Sequence, residues 1–216
     1  MRTIALSWRL GLTPSPELSP DIWVPAAIPG AIQLDMRAPD APDYWQGDAY
    51  HQFDWMEDMW AVYEARIPDG AASEHLVLSG KGIDYCYEIR LNGSPLYRHE
   101  GMFSPFTVPL SAGWRPEDNR LRIFIAPPPK APGVSGRKQA SQSCKPPVCY
   151  GWDFHPRLLV RGIWEELRLE IHDSPRIARM EPVFSLSPDR TQGKVTLSLE
   201  IEQPDGCQIR ICMRDP

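Results

Sequence analysis

The stretch RLRIFIAP, residues 120–127, shows most clearly which fold the chain adopts. Every second residue from Leu121 to Ile125 is apolar, whereas two of the three interleaved positions are arginine. An alternation with period two places one face of a strand in a core and the other towards solvent. The stretch therefore predicts an antiparallel strand with one buried face.

Further stretches of strand character extend in both directions from this one. The same alternation recurs in KVTLSLEI, residues 194–201. Turn residues such as Asn92-Gly93 separate the apolar runs, and no stretch of a dozen residues keeps a helical period. The sequence therefore predicts an all-β protein built as a β-sandwich. The remaining predicted strands are 3–10, 59–67, 75–80, 85–93, 163–171 and 207–214.

Composition and charge agree with this fold and argue against two classes of partner. The chain has 216 residues, of which 42% are hydrophobic, 24 are proline and eight are tryptophan. Proline is excluded from helix interiors and central strands, so this composition favours short strands joined by ordered loops. The net charge of −5 argues against a nucleic-acid partner, because phosphates attract basic surfaces. The sequence contains no run of 18 apolar residues, so no membrane span is predicted.

The five cysteines predict neither a disulfide framework nor a metal site. Cys144 and Cys149 form the only close pair in a loop-like stretch. No second pair of cysteines or histidines completes a set of four metal ligands. We therefore expect ordinary thiols or one loop disulfide, and neither a metal nor another cofactor.

The N-terminal residues carry no recognisable signal peptide. Ser7, Trp8 and Arg9 interrupt the apolar run that a signal peptide needs. The compartment stays open: the cytoplasm is favoured, and a periplasmic or secreted location remains if a signal peptide has been removed.

Two long segments, residues 20–58 and 127–157, lack strand character. Both are rich in aromatic residues and proline rather than in serine and glycine. Loops of this length are uncommon in compact domains and usually functional. We therefore expect ordered loops that line a functional surface.

The organisation of the chain changes at His172-Asp173-Ser174-Pro175. About 40 residues with about three predicted strands follow, whereas a sandwich needs about seven strands. The sequence therefore predicts two domains, residues 1–172 and residues 176–216, and the second is expected to be truncated inside a β-sandwich.

Four segments that occur in one order along the chain carry a resemblance to a known family. They are WVPAAIPG at 23–30, GID at 82–84 with LNG at 91–93, HEGMFSPF at 99–106, and YGWDFHPR at 150–157 with GIW at 162–164. Together they resemble the N-terminal part of glycoside hydrolase family 2, and the match covers residues 20–170. The last segment is similar to the GWDWGPR…GIW form of the β-mannosidase branch.

The resemblance implies a domain order and a set of partners. Residues 1–172 would form a jelly-roll, galactose-binding-like sugar-binding domain, and residues 176–216 part of an immunoglobulin-like sandwich. Both catalytic glutamates would lie in a (β/α)₈ barrel that is absent from these residues, so the chain itself would contain no catalytic residue. The expected partners are a β-glycoside substrate and the chain's own missing barrel, and a homo-oligomer stays open.

Adjacent acidic residues are the chain's other candidates for the chemistry. Retaining glycoside hydrolysis needs two carboxylates about 5 Å apart across the scissile bond. Glu57-Asp58 and Glu165-Glu166 are sequence neighbours, and neighbours in a strand face opposite sides. We therefore expect that neither pair converges on one site and that this chain alone does not hydrolyse glycosides.

The candidate substrate-binding residues, Asp153, Trp152 and Arg157, also come from the resemblance. It implies that Asp153 binds sugar hydroxyls in the glycone subsite and that Trp152 offers a flat face to the ring. Arg157 would pair with Asp153 or anchor the loop, and the alternative for both Trp152 and Arg157 is a loop-packing role. Phe154 and His155 stand where the mannosidase form has Trp and Gly, which leaves the sugar open.

Three functions follow from these observations. The first is an accessory domain of an exo-acting β-glycosidase, β-mannosidase-like or β-galactosidase-like, that contributes a loop to the glycone subsite. The second is a free-standing, lectin-like carbohydrate-binding module on a fold that hosts many binding functions. The third is a structural domain that packs against the barrel and never touches sugar. A free-standing module is expected to complete its last domain, so the first function is favoured over the second.

Overall fold

The computed structural model describes residues 2–70, 75–202 and 206–212. Within these residues the chain forms twelve strands, one short α-helix (α1) and three 3-10 helices. The helices are α1 (Ile32–Asp35) and the 3-10 helices Ala49–Met56, Gly136–Gln142 and Pro147–Cys149. The strands are β1 (Arg2–Ile4), β2 (Trp8–Thr13), β3 (Val24–Ala26), β4 (Trp60–Arg66), β5 (Leu76–Gly80), β6 (Cys86–Leu91), β7 (Ser94–Glu100), β8 (Phe106–Pro109), β9 (Arg120–Ile125), β10 (Leu167–Ile171), β11 (Arg176–Leu186) and β12 (Gly193–Glu202).

Ten of these strands form two sheets. The larger sheet has six strands in the order β3-β2-β4-β9-β6-β7, and all of its neighbours are antiparallel. The smaller sheet has four strands in the order β1-β10-β5-β8. The predicted all-β class is confirmed.

Among the described residues, no helix has both the length and the apolar composition that crossing a lipid bilayer requires.

The hydrophobic core lies between the two sheets. It contains Leu10, Tyr63 and Ile123 from the larger sheet together with Leu78 and Leu169 from the smaller one, and all five are at most 1% exposed. Fully burying one such side chain contributes about 1.5–3 kcal/mol. The predicted β-sandwich and the buried face of β9 are therefore confirmed.

A tight turn joins β6 to β7 as predicted. Leu91 pairs with Ser94, so Asn92 and Gly93 alone form the turn, with φ angles of +52° and +87°. The Asn92 side chain fastens the turn to its surroundings: its Oδ1 accepts a hydrogen bond from the Arg120 amide (2.8 Å). Positive φ at both turn residues is what a two-residue hairpin requires.

The predicted strand 163–171 is too long. Strand β10 begins at Leu167, because the preceding residues bond to loops instead of to the sheet. The carbonyl of Ile163 accepts from the Gly30 amide (2.8 Å), and the Glu165 amide donates to Gly82 (3.4 Å). The predicted strand 3–10 is likewise divided, into β1 and β2, and none of the stretches named above covers β3, β7, β8 or β11.

Gly162 lies where three segments meet. Its carbonyl accepts a hydrogen bond from the Asp84 amide (2.9 Å), and its neighbours bond to residues 30–32. A Cβ atom at this position would lie 2.7 Å from the Gly30 oxygen and 2.9 Å from the Ala31 Cα. Only glycine fits between these backbones.

The chain divides into two compact units. The sandwich unit contains residues 3–171, and among the described residues the other unit contains Arg2 and those from His172 onward. In this second unit β11 and β12 form an antiparallel two-stranded ribbon. Residues 207–212 form no strand, so that part of the predicted strand 207–214 is wrong, and its last two residues lie outside the described residues. The assignment of residues 176–216 to a partial immunoglobulin-like domain stays a prediction.

The ribbon is apolar on one face and polar on the other. Cross-strand pairs on the apolar face include Met180 with Leu199, and Phe184 with Val195. Met180 and Phe184 are 59% and 73% exposed. The opposite face carries pairs such as Arg179 with Glu200 and Ser185 with Lys194.

Candidate functional site

Residues 150–157 form a short β-hairpin within the second long loop. Tyr150 and Arg157 face each other in an isolated antiparallel bridge at its base. Nearer the tip, the Trp152 amide donates to the His155 carbonyl (2.8 Å), and the His155 amide donates back to Trp152 (3.4 Å). Asp153 and Phe154 are therefore the two residues at the tip of the hairpin.

The tip projects into solvent. Asp153 is exposed, and it makes no hydrogen bond or ion pair with any other residue that the structure describes. Trp152 is 50% and Phe154 79% exposed. A carboxylate that is not engaged by its own protein keeps both oxygens available to accept hydrogen bonds from a ligand.

Trp152 has a neighbour that sequence analysis did not identify. The Arg137 guanidinium lies 4.9 Å from the centroid of the Trp152 ring. A cation over an indole face is attracted by the ring quadrupole. A sugar stacking on Trp152 would therefore use the opposite face of the ring.

Arg157 anchors the hairpin. Its Nη2 donates to Glu57 Oε1 (2.5 Å) and Gln139 Oε1 (2.7 Å), and its guanidinium lies 5.6 Å from the Tyr150 ring. The predicted alternative, an ion pair between Arg157 and Asp153, is wrong, because the guanidinium is directed to Glu57. A direct contact between Arg157 and sugar stays a prediction.

The acidic pair Glu57-Asp58 converges, contrary to expectation. The two residues lie in a turn after the 3-10 helix Ala49–Met56, so the alternation of a strand does not apply. Both carboxylates contact the Lys130 ammonium, Glu57 at 2.9 Å and Asp58 at 2.7 Å. Neutralised carboxylates of this kind are not arranged as an acid and a nucleophile across a sugar bond.

The pair Glu165-Glu166 lies before β10 rather than inside a strand. Glu166 is paired with Lys81 (3.0 Å) and with Arg168. Of this second acidic pair, Glu166 is therefore engaged by surface cations.

A buried ion pair holds the middle of the second long loop. The Lys145 ammonium contacts the Asp84 carboxylate and donates to the Val160 carbonyl (2.8 Å). Burial raises the pKa of the Asp84 carboxyl, and the attraction of Lys145 opposes that rise. The adjacent Cys144 amide donates to the Tyr85 hydroxyl (3.1 Å). Asp84 belongs to the family segment at 82–84, whose sequence carries no sign of a lysine partner 61 residues away.

Arg161 ties the two long loops to the sandwich. Its side chain is buried and donates to the carbonyls of Ala126 (2.8 Å), Met56 (2.6 Å) and Met59 (2.9 Å). Burial lowers the pKa of Arg161 to about 10, so the group stays charged at neutral pH. The turn at residues 56–59, the residue after β9 and the segment that follows the hairpin are therefore joined through one cation.

Four surface cavities lie away from the hairpin. One, of about 210 Å³, opens on the outer face of the larger sheet and is lined by residues including Trp60, Glu88 and Arg90. None of the four is lined by residues 150–157.

Among the described residues, no three His, Cys, Asp or Glu side chains are placed to share a metal ion. All five cysteines are free thiols, so the loop disulfide that the sequence left open is not formed.

Comparison with known proteins identifies the family that shares this architecture. The profile of the family described as "Glycosyl hydrolase 2 galactose-binding domain-like" matches residues 8–165. A curated relative, "Beta-mannosidase B" of Aspergillus fumigatus, is 26% identical over 216 residues, which are 90% of this chain and 25% of the relative. "Beta-mannosidase B" of Emericella nidulans is 24% identical over 206 residues, which are 87% of this chain and 24% of that relative.

Solved structures show the same fold. The β-D-mannosidase from Dictyoglomus thermophilum superposes with a TM-score of 0.71 at 22% identity, over 91% of this chain and 25% of that chain. A β-glucuronidase from an uncultured Clostridium sp. gives 0.55 at 15% identity, over 94% and 34% of the two chains.

The chain spans about a quarter of the length of the curated relatives it matches. The resemblance carried by the four sequence segments is confirmed, and the similarity is to the β-mannosidase-like branch. The chain belongs to the glycosyl hydrolase 2 galactose-binding domain-like family.

Proposed function

We propose that the chain is the N-terminal, non-catalytic part of a family 2 exo-β-glycosidase of the β-mannosidase type, and that the hairpin 150–157 contributes to its glycone subsite. The observation that carries the proposal is Asp153, an exposed carboxylate without a protein partner among the described residues, at the tip of an anchored hairpin. The names of the relatives and the quarter of their length that the chain spans support it.

Each exposed group of the hairpin has a definite role in this proposal. The two oxygens of Asp153 accept hydrogen bonds from sugar hydroxyls, and charge-assisted hydrogen bonds of this kind are stronger than neutral ones. The free face of Trp152 packs against the C–H side of the ring. The acid and the nucleophile come from the barrel of the longer protein, because Glu57, Asp58 and Glu166 are each engaged by cations.

The position of the hairpin favours this function over a free-standing lectin-like module. A small-molecule site is normally concave and surrounds most of its ligand. The tip of the hairpin lines none of the four described cavities. One carboxylate and one ring supply too few contacts to offset the cost of immobilising a sugar.

Assays with the longer protein and with this chain test the proposal. The longer protein is expected to release nitrophenol from nitrophenyl β-D-mannoside, with β-galactoside and β-glucuronide assayed beside it. The 216-residue chain is expected to show no turnover and no measurable binding of mannose by calorimetry. Absence of glycosidase activity in the longer protein overturns the proposal, and tight binding of a sugar to this chain alone favours the lectin-like module.

A further inference from the structure

The contacts of Arg157 belong to a larger network of charges at the base of the hairpin. Glu57 Oε1 accepts from Arg157 (2.5 Å) and from Lys130 (2.9 Å), and Lys130 also contacts Asp58 (2.7 Å). Two cations and two carboxylates therefore neutralise one another. The Glu57 side chain is 17% exposed, so solvent screens its contacts only in part.

The backbone around Glu57 is held in place on both sides. It caps the C-terminal end of the 3-10 helix Ala49–Met56. The buried Arg161 binds the carbonyls of Met56 and Met59, which flank the Glu57-Asp58 turn on either side. The backbone on both sides of Glu57 is therefore held by a buried cation.

Lys130 and Arg157 lie near the two ends of the second long loop. Burial works to lower the pKa of Lys130, but its hydrogen bonds to Asp58 and Glu57 outweigh that effect and raise the pKa. Both cations meet at the single oxygen Glu57 Oε1. One carboxylate thus links the two ends of the loop that contains the hairpin.

The tip has no comparable attachment of its own. Asp153 makes no hydrogen bond or ion pair with any described residue, and Phe154 is 79% exposed. The direction of the tip therefore depends on its base, where Arg157 faces Tyr150. A displacement of about 1 Å at a substrate-positioning group can lower a rate by about a hundredfold.

We propose that Glu57, itself held by Lys130, is a positioning residue: it holds Arg157, and through Arg157 it fixes the direction in which Asp153 projects. The part of this inference that concerns sugar binding rests on the proposed function. The part that concerns the hairpin does not.

Hydrogen exchange on the 216-residue chain tests the positioning role directly. Removal of the carboxylate in Glu57→Ala is expected to speed exchange of the Trp152 and His155 amides by about tenfold, because local opening of the hairpin becomes easier. In Glu57→Gln the exchange rates of these amides are expected to lie between those of the parent and those of Glu57→Ala, since the glutamine amide oxygen still accepts a hydrogen bond from Arg157. The matched control is Glu166→Ala, which removes another surface carboxylate with two cationic partners and should leave the hairpin amides unchanged.

Global stability separates positioning from folding. Partly exposed ion pairs contribute little to stability, so all three variants are expected to melt within about 4 °C of the parent. Hairpin exchange in Glu57→Ala that equals the parent value overturns the inference. An equal acceleration in Glu166→Ala overturns it as well.

Kinetics of the longer protein give the second measurement. Glu57→Ala is expected to lower kcat/KM by about tenfold, mainly through KM, because a misdirected Asp153 weakens binding of the sugar in ground and transition states alike. Glu57→Gln should recover part of the loss. If the longer protein hydrolyses no glycoside, the proposed function fails and the exchange experiment still decides the role of Glu57. If Glu57→Ala leaves both exchange and kinetics unchanged in an active enzyme, only the inference fails.

Discussion

Lys145 and Asp84 form an ion pair inside the sandwich, although 61 residues separate them in the chain. Their side chains are 0% and 7% exposed. Because Lys145 belongs to the long loop and Asp84 to the segment before β6, this contact fastens the loop to the sandwich.

Removing one member of this pair should be strongly destabilising. Lys145→Met leaves the Asp84 carboxylate buried without its cation, and such a loss costs about 3–5 kcal/mol. Urea unfolding of the 216-residue chain measures the effect. The matched control is Lys81→Met, which removes an exposed lysine from its pair with Glu166 and should cost at most about 1 kcal/mol. Equal losses in the two variants would show that Lys145 contributes no more than a surface charge.

Glu64 should make the stability of the sandwich depend on pH. Burial works to raise the pKa of Glu64, but hydrogen bonds from Arg122 (2.6 Å) and Arg9 (3.0 Å) outweigh it and lower the pKa. A lowered pKa stabilises the folded state above the unfolded value of about 4.3, and that stabilisation is lost as the pH falls through the folded value.

We therefore expect Glu64→Gln to be less stable than the parent at pH 7. The difference in unfolding free energy should shrink as the pH falls below about 4, where the parent carboxyl also becomes neutral. Denaturant titrations between neutral and acidic pH measure it. A difference that stays constant over that range would mean that the ionised form of Glu64 is not the stabilising species.

Asp153 should matter for activity and not for folding. Asp153→Asn removes a charge that no described residue contacts, so the unfolding free energy of this chain should change by less than about 0.5 kcal/mol. In the longer protein, kcat/KM for the nitrophenyl glycoside should fall about ten- to a hundredfold, because a hydrogen bond to a charged group is worth about 1.5–3 kcal/mol. Asp21→Asn, at another exposed carboxylate, is the control. Normal kinetics in Asp153→Asn would remove Asp153 from the subsite.

The ribbon formed by β11 and β12 should bind hydrophobic dyes. Exposed apolar patches of this kind are uncommon on the surface of monomeric proteins. The 216-residue chain is expected to enhance the fluorescence of anilinonaphthalene sulfonate, and Phe184→Lys should reduce that signal. Val183→Lys, on the opposite face of the same strand, is the matched control. Equal reductions would show that the dye does not select the apolar face.

The sequence predicted those parts of the fold that depend on local patterns. In β9 and β12 the apolar residues alternate with polar ones, and both strands were predicted nearly to their ends. Strand β11 was missed because Pro182 and several charged residues obscure its alternation. The stretch 207–212 shows the reverse case, since it has strand-like composition but forms no strand among the described residues. A strand requires a partner, and single-strand patterns do not reveal one.

The candidate site could be predicted only in part for the same reason. The family segment indicated Asp153 and Trp152, and the structure places Asp153 at the exposed tip and Trp152 next to it. The anchor of that tip joins Glu57 to Arg157 across 100 residues. The expectation for Glu57-Asp58 was wrong because it assumed a strand, whereas a turn brings both carboxylates to one lysine. Such partnerships depend on tertiary structure, which spacing along the chain does not encode.

The crowding around Gly162 has a consequence for natural variation of this gene. Every amino acid that could replace Gly162 adds a Cβ where the backbone of residues 30–31 already lies within 3 Å. The smallest replacement, alanine, therefore meets the same obstacle as the largest. Missense changes at this codon should behave as a single class of folding defect, with a severity that hardly depends on the size or charge of the incoming residue.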